Sequence, residues 1–318
     1  LLNSPARQTV VEQHFNQITA ENIMKMDALH PTESTYNFNA ADALVNYADT
    51  KGISMHGHVL VWHSQIPSWI ENYVGNKQVW IDMMESHVTT IAEHFEEAGN
   101  NDTVTSWDVV NEAFMEDGGY RGQNSGSSVW YDNIGAEFIE HAFVAARAAD
   151  SDADLYYNDY NLIWSDAKLG AVIDMVNDFQ TRGVPIDGIG FQTHISVNSP
   201  PISTIRSQLQ KAVKIRPAIK VTITELDVRL NNISNPVSAL TPTMAETHKQ
   251  YVYNDVKAYL DIVPPAQRGG ISVWGIGDAD SWILNLYSDR DDWPLFFFNT
   301  FAPKPALQGF ADALRERQ

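Results

Sequence analysis

The sequence predicts an α/β protein of the (β/α)8 TIM-barrel class, on three observations. Seven short β-rich runs recur along the chain, each ending abruptly in polar or aromatic residues. One marker near the end of each run (Glu21, His63, Glu112, Asn158, His194, Glu225 and Trp274) gives gaps of 42, 49, 46, 36, 31 and 49 residues. Such intervals hold a parallel strand, a crossover helix and their loops. Several of the stretches between the runs carry apolar residues at helical spacing. An open doubly wound sheet is the competing architecture, but it would place a Gly-rich phosphate loop after its first strand, and none is present.

The elements follow in order. Ser4-Pro5 reads as an N-cap and first helical position, which predicts a helix over residues 5–14. The first run is Phe15–Asn22 (FNQITAEN) and the second Ile53–His63 (ISMHGHVLVWH). A helix is expected over Val79–Glu97, where Val79, Met83, His87, Ile91 and Phe95 are spaced by four. Ser106–Glu112 (SWDVVNE) follows, then a helix over Ala136–Ala149, then Leu155–Asn161 (LYYNDYN). A helix over Leu169–Thr181 ends near Gly183, a C-cap residue. The last three runs are Gly188–His194 (GIGFQTH), Val221–Asp227 (VTITELD) and Gly270–Asp278 (GISVWGIGD). In the sixth, Glu225 and Asp227 share parity with Val221 and Ile223, so alternation predicts one strand face running from packed interior to polar mouth. A closed barrel has eight strands and seven are found, so the first strand is expected upstream of residue 1. The whole chain, 1–318, reads as one catalytic barrel domain without linker or low-complexity tract.

Composition narrows the partners. The chain has 318 residues, 44% hydrophobic and 19% charged, which is ordinary for a globular protein. Its 21 basic and 40 acidic side chains leave a net charge of −19, with no basic cluster to neutralise phosphates. Nucleic acid and an anionic membrane surface are therefore disfavoured, whereas a neutral polymer is compatible. The longest apolar runs, such as Ala142–Ala146 and Leu295–Phe298, fall far short of the ~20 residues of a membrane span. With no cysteine, thiolate nucleophiles and Cys-type zinc sites are excluded. No HExxH is present. Asp150, Asp152 and Asp154, and likewise Asp289, Asp291 and Asp292, lack the glycine and terminal glutamate of an EF-hand loop. Neither metal nor cofactor is expected.

In a barrel of this kind the reacting groups stand at the C-terminal ends of the strands. Glu112 and Glu225 end two different runs, among His, Asn and Trp. Paired carboxyls, indole-rich run ends and no cofactor motif point to glycosyl transfer to water. One carboxyl donates a proton to the leaving oxygen, and a second carboxylate beside it favours the protonated form. The other attacks C1 or activates water. Indoles stack on the C–H faces of sugars, and Asn, Gln, His, Lys and Glu meet the hydroxyls.

The segments Phe15–Lys25 (FNQITAEN-x-MK), Gly57–Pro67 (GHVLVWHSQ-x-P), Trp107–Phe114 (WDVVNEAF), Leu155–Asn161, Gly188–His194, Ile223–Val228 (ITELDV) and Trp274–Trp282 (WGIGDADSW) together resemble family 10 glycoside hydrolases, the barrel-type endo-β-1,4-xylanases. The likeness covers nearly the whole chain, with the motifs in their usual order. It implies that Glu112 is the acid/base and Glu225 the nucleophile of a retaining reaction. Such a reaction needs carboxyls ~5–5.5 Å apart. By the same resemblance His194 hydrogen-bonds the nucleophile, with Asp227 behind it. Asn111 and Gln192 bind around the sugar whose bond is cut, and His58, Trp62 and His63 shape that subsite. Glu21, Asn22, Lys25 and Gln65 form the glycone-side hydrogen-bonding set, beneath the indoles of Trp274 and Trp282. Tyr157 and Asn158 meet the first aglycone-side sugar. The implied partners are xylan and xylooligosaccharides, acted on by a secreted monomer, extracellular or periplasmic.

Alternatives remain on residues alone: a β-1,4-glucanase, an enzyme restricted to short xylooligosaccharides, or a silent sugar-binding barrel, the last disfavoured because both carboxylates are present. His56 reads as a packed barrel residue. His14, His30, His87, His94, His141 and His248 read as structural or surface residues, and Trp107, Trp130 and Trp164 as core or rim. The family often has Trp where this chain has Met26, which softens the packing behind Lys25. The Gly- and Ser-rich segment Gly118–Ser128 reads as a mobile loop on the catalytic face, where it alters aglycone contacts.

Overall fold

The computed structural model of the chain describes residues 1–97, 103–231, 236–286 and 291–316. Asp289, one of the acidic residues discounted above as calcium ligands, lies outside them. Helix α1 (Pro5–His14) leads to β1 (Gln17–Thr19). Helices α2 (Met26–Leu29) and α3 (Asn39–Lys51) precede β2 (Ser54–Trp62), and α4 (Ser68–Glu71) and α5 (Lys77–Glu97) precede β3 (Val104–Asn111). Then come α6 (Val129–Ile134), α7 (Phe138–Ala149), β4 (Asp154–Asp159), α8 (Asp166–Arg182), β5 (Gly188–Phe191) and β6 (His194–Ser196). The chain continues through α9 (Ile202–Ala212), β7 (Lys220–Arg229), α10 (Pro242–Ile262), β8 (Arg268–Val273), α11 (Ile283–Leu286) and α12 (Pro305–Arg315).

Every ladder between these strands is parallel, and they wrap into the nearly closed barrel that the seven runs predicted. Strands β5 and β6 pair with successive parts of β7 and form one stave in two pieces, interrupted where Thr193 adopts a φ of 61°. The eight strands therefore make seven staves. Among the described residues no ladder joins β1 to β8. A cavity of about 610 Å³ opens between them, lined on one side by Gln17, Ile18 and Thr19 and on the other by Gly269, Gly270 and Ile271. No described helix is long and apolar enough to cross a membrane.

The two faces of the strands differ in chemistry. Met55, Trp107, Val109, Leu155, Ile189, Phe191, Val221 and Ile223 are buried in the hydrophobic core. The barrel interior is polar. His56 lies 2.7 Å from Ser106 and 3.0 Å from Asp108, as a packed barrel histidine should. Thr224 donates to Asn158 Oδ1 at 2.7 Å. Gly190 makes room for that amide, because a Cβ there would stand 2.4 Å from Asn158 Oδ1.

The helices match the periodicity. Ser4 caps α1 through a hydrogen bond from the Arg7 N–H, and Gly183 closes α8 in the left-handed region at φ 75°. Of the histidines read as structural, His30 and His87 stack 5.2 Å apart, His94 meets Asp42 and His141 meets Glu85. Trp107 and Trp130 are buried, and Trp164 is an exposed rim residue.

One expectation needs correction. Alternation in VTITELD does not carry Glu225 onto the face of Val221 and Ile223. Thr224 and Glu225 are consecutive, yet both side chains meet Asn158. The pairing of β7 with β8 is irregular between Ile223 and Leu226, and such a bulge re-aims the next side chain. Segment 118–128 is a loop of turns without helix or strand. Met115 and Gly119, Ala113 and Arg121, and Gly122 and Ser125 are joined by backbone hydrogen bonds of 2.8, 2.8 and 3.0 Å.

Candidate active site

Glu112 follows the last residue of β3 and has a φ of 58°, a conformation that turns its side chain out of the strand's alternation. Its carboxylate accepts from Trp62 Nε1 at 3.0 Å on Oε2 and from Gln192 Nε2 at 3.0 Å on Oε1. His63 Nδ1 stands 3.9 Å from Oε2. Burial, with Arg121 and Lys168 adding to it, pushes the His63 imidazole down to about 3, so it is neutral at ordinary pH.

Glu225 lies within β7 and is buried. Its Oε1 accepts from Asn158 Nδ2 at 2.8 Å, and its Oε2 faces His194 Nε2 at 3.1 Å. Asn158 ties the two glutamates together. Its amide nitrogen donates to Glu225, while its backbone carbonyl accepts the N–H of Glu112 at 2.9 Å. The opening to solvent is unequal. The Glu225 side chain is 6% exposed against 14% for Glu112, the difference expected between a group shielded among donors and one reached by leaving group and water.

His194 is set between carboxylates, with Nδ1 at 2.8 Å from Asp227 and Nε2 toward Glu225. Burial works against charging the ring, but Asp227 and Glu225 outweigh it and raise its pKa to about 10. The imidazolium then donates from both nitrogens. Asp227 also accepts from Trp282 Nε1 at 2.9 Å, which fixes that indole beside the His194 ring, 5.0 Å between centres.

On the side of β1, Lys25 Nζ donates to Gln65 Oε1 at 2.6 Å and to Asn22 Oδ1 at 3.2 Å, and lies 4.8 Å from the ring centre of Trp62. Met26, the departure from the usual Trp, is buried at the first position of α2. Burial lowers the pKa of Lys25, opposed by Glu225 and Glu21, and burial raises that of Glu21, opposed by Lys25. Trp274 packs edge-on against His58 at 5.3 Å. The amides of Asn111 and Gln192 are adjacent, 3.1 Å apart, beside Glu112.

Glu21, Asn22, Lys25, His58, Trp62, His63, Gln65, Asn111, Glu112, Gln192, His194, Glu225, Asp227, Trp274 and Trp282 are thus linked through these contacts into one network. Tyr157 and Asn158, expected to meet sugar, are enclosed by their neighbours. Both are fully buried. The Tyr157 side chain lies on the outer face of β4, where its hydroxyl meets Asp159 at 2.5 Å, and Asn158 is committed to Glu225, Asp108 and Thr224.

Asp108 was missed by the motif reading. It accepts from His58 Nδ1 at 2.8 Å and from Asn158 at 3.2 Å. Burial opposes its charge, yet His56 and His58 hold its pKa down at about 2. Its parity with Ser106, opposite to Trp107 and Val109, was the available signal. Donor atoms of His58, Asp108 and Glu225 lie within 4.8 Å of one another, the one three-donor group of metal-binding type among the described residues. Asp108 and Glu225 are already engaged there by His58, Asn158 and His194, so the group reads as a hydrogen-bond network.

Residues 1–313 match the model for glycosyl hydrolase family 10. Endo-beta-1,4-xylanase Xyn10C of Cellvibrio japonicus is 44% identical over 99% of this chain and 53% of its own length. Exoglucanase XynX of Acetivibrio thermocellus is 34% identical over 94% of this chain and 26% of its own. The solved structure of a xylanase10C variant from Cellvibrio japonicus in complex with xylopentaose superposes with a TM-score of 0.94 at 43% identity, covering 100% of this chain and 64% of that one. The chain spans about half the length of the first of these relatives, 53%.

Proposed function

The chain belongs to glycosyl hydrolase family 10, and from that premise we propose that it is an endo-β-1,4-xylanase cutting internal bonds of xylan with retention of anomeric configuration. One observation carries the reading: Glu112 and Glu225 come from different strands, each carboxylate is met by two side-chain nitrogens, and Asn158 joins them.

The roles follow from what each carboxylate touches. Glu225 attacks C1. Asn158 and the His194 imidazolium hold it aimed. Glu112 protonates the departing oxygen as C1–O breaks, with Trp62 and Gln192 fixing its plane. Formation of the glycosyl ester removes the negative charge of Glu225. Glu112, now a carboxylate, takes a proton from water, which attacks C1 and releases the sugar. Asn111 binds beside the reacting sugar. Glu21, Asn22, Lys25 and Gln65 bind glycone hydroxyls, and Trp274 and Trp282 supply stacking faces. No cofactor enters these steps.

Xylan is too large a polymer to enter a cell intact, so we place the enzyme outside the cytoplasm, with residues 1–318 as one barrel domain acting as a monomer. The decisive experiment replaces Glu225 by Gln. Loss of about three or more orders of magnitude in xylan hydrolysis, with β-anomeric product from the parent enzyme by NMR, is expected. Near-normal activity of the variant, or α-anomeric product, would overturn the assignment.

A β-1,4-glucanase is the second reading, favoured by the exoglucanase among the relatives. Glucose adds a C5 hydroxymethyl, and its exclusion falls to the walls formed by Lys25, Trp274 and Trp282. Initial rates on xylan and carboxymethylcellulose separate the two.

A further inference from the structure

We propose that Arg121, Tyr157 and Lys168 are positioning residues for Glu112, acting through the single peptide group between Glu112 and Ala113. The inference rests on the reading of Glu112 as the proton donor. A non-glycine residue at φ 58° is strained and persists only where its surroundings hold it.

The holding groups are specific. The carbonyl of Glu112 accepts from Arg121 Nε at 2.9 Å, and the N–H of Ala113 donates to the Tyr157 hydroxyl at 2.9 Å. These are the two polar atoms of one peptide plane. They are gripped by side chains from two separate segments, the loop after β3 and strand β4. The N–H of Glu112 itself goes to Asn158 O. Rotation of this plane would swing the carboxyl away from Trp62 and Gln192.

Both grips converge on Lys168. The Tyr157 hydroxyl donates to Asp159 Oδ2 at 2.5 Å, and Asp159 Oδ1 is 2.8 Å from Lys168 Nζ. Arg121 donates through its second nitrogen to the Tyr160 hydroxyl at 2.8 Å, and Lys168 Nζ sits 3.4 Å from the centre of the Tyr160 ring. Glu116 lies 3.6 Å from Lys168, and its carboxylate accepts from Asn161 at 2.9 Å. Lys168 is wholly buried at the start of α8, in the row that continues as Val172, Val176 and Phe179. Asp159 is also buried, which raises its pKa to about 7 against the opposing pull of Lys168. A cation at this spot keeps Asp159 an acceptor for Tyr157, which leaves the phenolic lone pair free for the Ala113 N–H.

Merely structural residues would damage all substrates alike when changed. Residues that aim a proton donor damage only those whose leaving group needs the proton. The test uses β-xylobiosides of dinitrophenol, which departs without protonation, and of phenol, which requires it. The variants are Arg121→Met, Tyr157→Phe and Lys168→Met, with Glu112→Ala as reference, and kcat/KM is read for each substrate. For the positioning variants, kcat/KM on the dinitrophenyl glycoside should stay within about threefold of the parent while the phenyl glycoside falls about tenfold to a hundredfold. Equal losses on both substrates, or none, would overturn the proposal. If Glu112→Ala keeps the parental ratio, the reading of Glu112 as the acid fails, and that outcome is distinct from failure of the clamp. Normal turnover of the dinitrophenyl glycoside certifies a folded site. Should Lys168→Met fail to fold, Tyr157→Phe, which removes one oxygen, decides the matter.

Discussion

His194 sits between Asp227 and Glu225, and that position decides its charge. Its pKa is raised from the ordinary 6.5 to about 10, so the ring remains an imidazolium across neutral pH. The folded-state pKa lies above the unfolded one. Its stabilising contribution is therefore complete below about pH 6.5 and is lost as pH rises through about 10. Imidazole ¹⁵N resonances of His194 should hold charged-form shifts at pH 8; a titration midpoint near 6.5 would contradict this. Asp227→Asn should bring the midpoint down. At this scale much of the site was legible, because Glu112, His194 and Glu225 end or follow runs and carry chemistry that a run end seldom needs. The support behind them was not. Arg121 reaches Glu112 through a side chain in a Gly-rich segment, and Tyr157 faces the helices. Lys168 did leave a signal, a lysine at the head of the apolar row Val172, Val176 and Phe179.

Along single elements, period-two alternation located the strands and failed within β7 and just past β3. It placed Glu225 with Val221 and Ile223, where the bulge in β7 turns it to Asn158 instead. The site lies where alternation breaks, at β7 and at the left-handed Glu112, and no propensity marks these places. Strand β5 supplies a test of how tightly the interior is fitted. Gly190→Ala would drive a methyl against Asn158 Oδ1, now 2.4 Å from the implied carbon, and against Thr224 Cγ2 at 2.9 Å. Overpacking of this kind costs about 1–3 kcal/mol. Because Asn158 also holds Glu225, the rate constant for xylan should fall by about tenfold or more, while circular dichroism stays native. Unchanged kcat would show that the amide has slack. Helix α10 carries a different liability. Asp255 is fully buried, and neither carboxylate oxygen has a partner among the described residues. Burial pushes its pKa from 3.8 up to about 7. The folded chain then holds a proton that the unfolded chain has already released, so stability falls as pH rises from about 4 to about 7 and stays low above that. Asp255→Asn removes the charge. Its melting temperature should exceed the parent's by several degrees at pH 8 and match it near pH 4. A gain of equal size at both pH values would mean that the benefit comes from packing.

For the whole molecule, the barrel was legible because its seven runs, spaced for crossover helices, are a property of the entire chain and survive local irregularity. The net charge of −19 is likewise global. It acts on substrate approach through a field that salt screens, over about 10 Å at 0.1 M ionic strength. A linear xylooligosaccharide carries no charge, so its kcat/KM should be flat with salt. Glucuronate branches are anionic, and a strongly acidic surface repels them before any contact forms. On glucuronoxylan kcat/KM should therefore rise by about twofold or more between low and moderate salt, with kcat nearly unchanged, since encounter is altered and chemistry is not. Initial rates for both substrates across a sodium chloride series provide the measurement. Parallel behaviour would mean that the cationic groups of the site, Lys25 and the His194 imidazolium, offset the global charge where substrate enters. In that case the Lys25→Met variant should restore the difference between the two polymers.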